Sequence, residues 1–191
     1  MNNFNLHTPT RILFGKGAIA ELRDQIPQDA RVLVTYGGGS VKKTGVLAQV
    51  QDALKGLDVL EFGGIEPNPS YETLMNAVKI VRDEKVTFLL AVGGGSVLDG
   101  TKFIAAAAQY ADGIDPWRIL ETHGNDVTSA IPMGSVLTLP ATGSESNSGA
   151  VISRKTTGDK LAFMTPFVQP VFAVLDPVYT YTLPPLSLIH I

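Results

Sequence analysis

The sequence predicts an α/β fold built on a doubly wound parallel sheet, and three observations lead to it. Short apolar runs alternate with amphipathic segments of helical length between residues 10 and 110. The run 88–92 is apolar throughout, as in a strand that is buried on both faces of a sheet. Two of the runs end in the same four residues, Gly-Gly-Gly-Ser, at 37–40 and at 93–96. Strands that alternate with helices in this way form βαβ units and hence a parallel sheet.

Each element follows from its own residues. Glycine and proline close the apolar runs, and helical spacing of apolar residues marks the segments between them. The predicted strands are 10–14, 31–36, 58–62, 87–92, 131–139 and 171–175, with a hairpin of 150–153 and 160–163 around the turn 156–159. The predicted helices are 18–26, 41–57, 71–85 with Ser70 as its cap, 96–110, and a short one that starts at 115–117.

Composition excludes several classes of protein. The chain has 191 residues, a formal net charge of −3 and no cysteine. We therefore expect no nucleic-acid partner, no disulfide framework and no thiolate metal site. No apolar stretch reaches the length of a membrane span, and the first residues lack the layout of a signal peptide. We expect a cytoplasmic protein without a membrane partner.

The stretch 87–110 carries the clearest chemical signal, because a buried strand runs through three glycines into a helix. Residues without Cβ let the backbone approach a phosphate closely, and the first turn of a helix attracts negative charge. A tight βα connection, with Ser96 as helix cap and Asp99 as its capping-box partner, explains the same residues. Two such turns at the ends of neighbouring parallel strands would both face the crevice where open α/β sheets bind ligands. The repetition therefore favours a dinucleotide site in a Rossmann-like domain.

Four pieces of sequence resemble the iron-dependent (group III) alcohol dehydrogenase family. They are Ala-Val-Gly-Gly-Gly-Ser-Val-Leu-Asp at 91–99, Leu-Pro-Ala-Thr-Gly-Ser-Glu at 139–145, Lys160, and Asp-Pro-Val-Tyr-Thr at 176–180. The resemblance is greatest to bacterial NADPH-dependent aldehyde reductases and butanol dehydrogenases, and it spans about residues 4–185. It implies an N-terminal dinucleotide-binding domain followed by an all-helical domain that holds a divalent metal. It also implies hydride transfer between NADP(H) and an aldehyde or alcohol, and a homodimer for the full-length protein.

The resemblance also implies which residues contact the cofactor. Gly94, Gly95 and Ser96 resemble the pyrophosphate-binding turn, and Asp99 resembles a ribose or nicotinamide contact. The remaining implied contacts, on the nicotinamide side or along the cofactor, are Tyr71, Thr138, Thr142, Ser144, Asn147, Lys160 and Tyr179. Hydroxyls and amides can serve either partner of a carboxamide or ribose hydrogen bond, and Lys160 would supply charge for a diphosphate.

The first glycine turn bears on the choice of cofactor. NAD-selective sites place a carboxylate near the strand end, where it accepts from the ribose 2′-OH and repels a 2′-phosphate. This chain instead has Gly37, Gly38, Gly39 and Ser40, followed by Lys42 and Lys43. Small residues, a hydroxyl and nearby cations favour a phosphorylated ribose. We therefore predict NADP(H), although the two lysines could equally be solvated helix residues.

The end of the sequence departs from the family pattern. Residues 1–185 are predicted to form the dinucleotide-binding domain, and 186–191 read as a non-native tail without cap or metal-ligand spacing. We expect the helical metal domain to be absent, no metal ligand or catalytic residue in this chain, and little activity from it alone. A divalent metal, iron or zinc, is expected only in the full-length protein. Two alternatives stay open: a non-catalytic nucleotide-binding module, and an NAD-using relative of glycerol dehydrogenase or dehydroquinate synthase.

Overall fold

The computed structural model describes residues 8–183, which form one large parallel sheet flanked by helices, with an added hairpin. The predicted tail 186–191, together with His7 and His190, lies outside the described residues. The strands are β1 Arg11–Phe14, β2 Arg31–Tyr36, β3 Asp58–Phe62, β4 Phe88–Gly94, β5 Met133–Leu139, β6 Gly149–Arg154, β7 Asp159–Met164 and β8 Phe172–Leu175. The α-helices are α1 Ser40–Lys43, α2 Val46–Ala53, α3 Tyr71–Asp83, α4 Gly95–Ala108 and α5 Arg118–Glu121. Short 3₁₀ segments cover Ala18–Gln25, Pro166–Val168 and Pro177–Thr182.

The large sheet has six strands in the order β1-β8-β5-β4-β2-β3, and every pairing in it is parallel. This confirms the predicted fold class. Strands β2 and β4 are direct neighbours, with Tyr36 opposite Val92 in the register. The two glycine turns that follow these strands therefore leave the sheet at the same edge and side by side, as the sequence predicts.

Hydrophobic side chains cover both faces of the sheet. Strand β4 is buried from Phe88 through Gly93, and β2 from Val32 onward. On one face Phe88 stacks on Phe172 with ring centroids 6.0 Å apart. The Phe172 ring also lies over Gly134, where a Cβ would come within 2.2 Å of Cζ, so only glycine fits beneath it. Because the interior is close-packed, these contacts fix the central strands and hence the turns at their ends.

Two helix predictions need correction. The predicted helix 41–57 is two short helices, α1 and α2, that are separated at Gly45 with φ +77°. A continuous α-helix cannot pass through a residue in the left-handed region, and a glycine adopts that conformation without a Cβ clash. The predicted helix 18–26 is a 3₁₀ segment that begins after Gly17, which also has a positive φ.

The predicted hairpin is confirmed, and its strand β6 packs against α4. Strands β6 and β7 pair antiparallel from Gly149 opposite Met164 to Arg154 opposite Asp159. In the turn that joins β6 and β7, Lys155 donates to Glu66 Oε1 at 2.7 Å. Although burial opposes it, hydrogen bonds from Lys155, Ser70 and Thr73 lower the pKa of Glu66 to about 2. This cluster attaches the hairpin to the loop that precedes α3.

Helix α3 begins with the side-chain cap that the sequence predicts. Ser70 accepts from the backbone N–H of Thr73 and so begins α3, as predicted. None of the helices within residues 8–183 is long and apolar enough to cross a membrane.

Candidate functional site

The two glycine turns share one cleft at the edge of the sheet, with a volume of about 410 Å³. Gly37, Gly38 and Ser40 line one side, and Gly94, Gly95 and Ser96 line the other. The remaining walls come from Ile65 and Pro67, from Thr138 and Leu139 at the end of β5, and from Val41, Thr44, Val46, Val97, Tyr179 and Leu183. A cleft of this size at the carboxyl ends of parallel strands has the usual size and place of a small-molecule site in an open α/β sheet.

The second turn presents an uncapped helix to this cleft. Helix α4 begins at Gly95, and no side chain caps its first turn. Ser96 Oγ instead accepts from the backbone N–H of Asn68 at 3.4 Å, and Asp99 bonds elsewhere. The reading of Ser96 as N-cap with Asp99 as capping-box partner is therefore wrong. A helix of 14 residues whose first turn is left without a side-chain cap suits a phosphate.

The glycines of the two turns differ in whether the fold needs them. A Cβ on Gly95 would lie 2.7 Å from Thr142 Oγ1, so this residue lets the loop after β5 approach the helix. A Cβ on Gly38 would meet nothing within 4 Å, and its φ is not positive. Gly38 is thus not needed for the fold, and the space above it is open to a ligand.

A second cavity, of about 500 Å³, lies on the other side of the contact between Gly95 and Thr142. Four predicted cofactor contacts line it: Asp99, Thr142, Ser144 and Asn147. The other lining residues are His123, Gly149, Ala150, Val151, Ala162, Phe163 and Met164. Twelve of the fifteen predicted cofactor-binding residues therefore line two adjoining cavities, one with glycine turns and one with hydroxyl, amide and carboxylate groups.

Beneath the second cavity lies Lys102, which the sequence reasoning missed. Its side chain is 0% exposed. The ammonium donates to Ser144 Oγ at 3.0 Å, to Asn147 Oδ1 at 2.8 Å and to the Gly149 carbonyl at 2.8 Å. Burial lowers the pKa of Lys102 to about 8, an effect that the Asp99 and Glu145 carboxylates only partly oppose. The signal available in the sequence was a lone lysine three residues after Asp99, followed by the apolar run 103–108.

A small depression adjoins the first turn, with a volume of about 240 Å³. Gly39 lines it, together with Tyr36, Gly37, Gly38, Gly63, Gly64 and Lys42. The Lys42 ammonium lies over the Tyr36 ring, 4.9 Å from its centroid. This contact with the Tyr36 side chain raises the pKa of Lys42, so the group stays cationic. No residue that lines the depression in the described chain is acidic.

Two further predicted cofactor contacts, Lys160 and Tyr179, lie near the first cleft and the second glycine turn. Lys160 Nζ donates to Asn68 Oδ1 at 2.8 Å, and the Asn68 N–H binds Ser96, so Lys160 is connected to the second turn. The Tyr179 hydroxyl donates to Gln49 Oε1 at 2.7 Å while its side chain lines the first cleft.

Tyr71 lines neither cavity. Its hydroxyl binds Asp115, and its ring packs edge-on against Phe103 and Trp117 at centroid distances of 5.7 and 5.5 Å. Tyr71 therefore belongs to the packing around α3 and α4, and the geometry gives no support to the predicted cofactor contact.

The described residues do not fit a metal ion. Between residues 8 and 183 no three or more histidine, cysteine, aspartate or glutamate side chains come together as a ligand set. His123 faces the second cavity, but its Nδ1 lies 3.4 Å from the Ala162 carbonyl. We therefore derive no chemical step through a metal from this chain.

Comparison with known proteins places the chain in a family. The sequence profile of iron-containing alcohol dehydrogenases matches residues 9–177. The chain belongs to this family. It is 84% identical to the NADPH-dependent aldehyde reductase YqhD of Escherichia coli strain K12, and 46% identical to a probable NADH-dependent butanol dehydrogenase 1 of Bacillus subtilis strain 168. The crystal structure of E. coli K-12 YqhD has a TM-score of 0.95 at 83% identity over 97% of this chain. The resemblance read from the motifs is confirmed.

The chain spans about half the length of these relatives. The alignments cover 97% of this chain but 48% of the E. coli enzyme, and 96% of this chain but 48% of the B. subtilis enzyme. The crystal structure of YqhD is likewise covered over 48% of its length. The residues of the iron-containing alcohol dehydrogenases that lie beyond this half have no counterpart in the described chain.

Proposed function

We propose that this chain is the cofactor-binding part of an NADP(H)-dependent aldehyde reductase or alcohol dehydrogenase. One observation carries the proposal: two glycine turns on neighbouring parallel strands face a single cleft that adjoins a cavity lined by polar side chains. Membership of the iron-containing alcohol dehydrogenases and the name of the E. coli relative support the reaction class. Aldehydes and alcohols are accordingly the proposed substrates. The homodimer, the cytoplasmic location and the low activity of the chain alone remain predictions.

The two cavities suit the two ends of such a cofactor. Backbone N–H groups at Gly95 and Ser96 and the open space above Gly38 would hold the pyrophosphate. Lys160, through its contact with Asn68, would add positive charge beside the second turn. Polar groups of Asp99 and Asn147 in the second cavity would bind the nicotinamide end. When bound, NADPH supplies a hydride to the substrate carbonyl.

The preference for a phosphorylated ribose rests on the first turn. The depression beside Gly39 holds the cationic Lys42, and no acidic side chain lines it in the described chain. A 2′-phosphate gains from a nearby cation and from hydroxyl and N–H donors, and Ser40 at the start of α1 can supply such donors. The names of the relatives support this preference, since the E. coli relative, 84% identical, is named for NADPH and the B. subtilis relative, 46% identical, for NADH.

Calorimetric titration of the chain with NADPH and with NADH tests this proposal. We expect saturable binding of NADPH with a lower Kd than that of NADH. Binding of neither nucleotide by a folded sample would refute the proposed site. Equal affinity for both would refute the role of Lys42 and the first turn while leaving the site itself in place.

A further inference from the structure

Lys102 is a buried cation whose three donors are all used. The acceptors are Ser144 Oγ, Asn147 Oδ1 and the Gly149 carbonyl, and all three belong to the segment that forms one wall of the second cavity. A lysine ammonium has three donors, so none is left for a ligand. Lys102 therefore acts on the cavity only through the residues that it holds.

A buried cation is not the simplest way to fill this position. Removing an ammonium group from water is unfavourable, and apolar side chains of similar volume often stabilise a protein more. The neighbouring residues Phe103 and Ile104 are fully buried and apolar, so the helix offers an apolar environment here. The presence of lysine is better explained by what it orients than by stability.

The contacts of Lys102 set the direction of two side chains that face the cavity. Asn147 Oδ1 accepts from Lys102 and from the Gly149 N–H, so the amide NH₂ points away from them, with the Thr142 carbonyl 3.4 Å from Nδ2. Ser144 accepts from Lys102 and so directs its own hydroxyl proton to Asp99 Oδ1 at 2.6 Å.

The other Asp99 oxygen accepts from the Val151 N–H at 3.0 Å. Both carboxylate oxygens keep lone pairs for a further donor, and the Asn147 amide keeps an N–H. A fixed acceptor and a fixed donor at one cavity wall match a carboxamide, which offers both.

We propose that Lys102 is a positioning residue for the nicotinamide end of the dinucleotide, holding Asn147 and, through Ser144, Asp99 in the orientation that binds it. This inference rests on the proposed function, because it assumes that a dinucleotide occupies both cavities. Lys102 touches neither the cofactor nor the substrate.

The test compares two ligands that differ only at the nicotinamide end. NADPH and 2′-phospho-ADP-ribose are titrated by calorimetry into the chain and into its Lys102→Met and Lys102→Arg variants. Lys79→Met is the control, because Lys79 lies exposed on α3, where it pairs with Asp83. We expect Lys102→Met to weaken NADPH binding about tenfold, because a misdirected Asp99 would lose its hydrogen bond to the nicotinamide end and a bond to a charged group contributes about that much. The fragment should bind within about twofold of its original affinity, and Lys102→Arg should recover part of the loss for NADPH.

The pH dependence adds a readout that a merely structural role would not move. The charged groups that face Lys102 are Asp99 on its own helix and Glu145 on the loop. Since the pKa of Lys102 lies near 8, the ratio of NADPH affinity to fragment affinity should fall as the pH rises from about 7 to about 9. In the Lys102→Arg variant the ratio should stay constant, because arginine keeps its charge.

The outcomes separate this inference from the function on which it rests. If the original chain binds neither ligand, the proposed function fails. If it binds both and Lys102→Met weakens both equally or neither, the positioning role fails while the function stands. Should Lys102→Met not fold, Ser144→Ala decides by the same ratio, because it breaks the link between Lys102 and Asp99. An unchanged ratio in Ser144→Ala, or a ratio that is flat with pH in the original chain, would overturn the inference.

Discussion

Replacing Gly38 by valine separates the ligand role of the first turn from its structural role. Gly38 is exposed, its φ is not positive, and a Cβ there meets nothing within 4 Å. The folded chain therefore has room for a Cβ at this exposed position, and restricting the unfolded chain favours folding slightly. We expect the free energy of unfolding to change by less than about 1 kcal/mol.

The same side chain would occupy the cleft where the pyrophosphate is proposed to lie. Forcing extra methyl groups into a filled contact costs about 1–3 kcal/mol, which corresponds to a rise in the Kd for NADPH of about fivefold to 150-fold. Calorimetric titration measures the Kd, and urea unfolding measures the stability. Ala48→Val, at an exposed position of α2, is the matched control and should change neither quantity. Unchanged NADPH affinity in Gly38→Val would refute the placement of the cofactor against this turn.

Three further predictions follow from the structure. Lys42→Ala should raise the Kd for NADPH about fivefold, as expected for an exposed ion pair, and leave that for NADH unchanged, with Lys43→Ala as control; equal effects on both nucleotides in a titration would contradict it. Gly134→Ala should lower the free energy of unfolding in urea by about 1–3 kcal/mol, because the new Cβ would meet the Phe172 ring, and undiminished stability would count against that packing. Lys102 has its pKa lowered from 10.5 to about 8, so between these values the unfolded chain binds more protons than the folded one. The stability of the original chain relative to Lys102→Met should therefore rise with pH over this window, by up to about 3 kcal/mol, and a fall measured by urea unfolding would show the sign to be wrong.

Strands β2 and β4 were predictable because burial on both faces of the sheet leaves a plain apolar pattern in the sequence. The predicted strands 31–36 and 58–62 match β2 and β3 at both ends, although β3, at the edge of the sheet, has no buried residue. Apolar runs that are closed by glycine have few alternatives in a parallel sheet. The two glycine turns meet because β2 and β4, the strands that precede them, are neighbours in the parallel sheet.

The helices were less predictable where glycine changes the backbone. Residues 41–57 have helical spacing of apolar side chains, but Gly45 takes a positive φ and divides the segment. Periodicity reports which side chains are buried, and it does not report the conformation of a single glycine between them. The extra strand residues Gly93 and Gly94 were missed for a related reason, because glycines at a strand end read as a turn.

For the candidate site, the meeting of the two glycine turns was predictable from the sequence. The hydrogen bonds around the buried Lys102 were not. Lysine side chains are usually exposed, so nothing in the sequence indicated that Lys102 is buried beneath a cavity. Its burial depends on the loop 142–149 folding over α4, a long-range contact that no local pattern records. Tyr71, predicted as a cofactor contact, packs edge-on against Phe103 and Trp117, and its contact with a cofactor stays a prediction.

A crystal structure of this chain grown with NADP⁺ tests the central claim most directly. We expect the pyrophosphate between the turns at Gly38 and Gly95, the 2′-phosphate beside Lys42, and the nicotinamide near Asn147. Electron density for the cofactor outside both cavities, or none at a concentration that saturates the chain in solution, would contradict it.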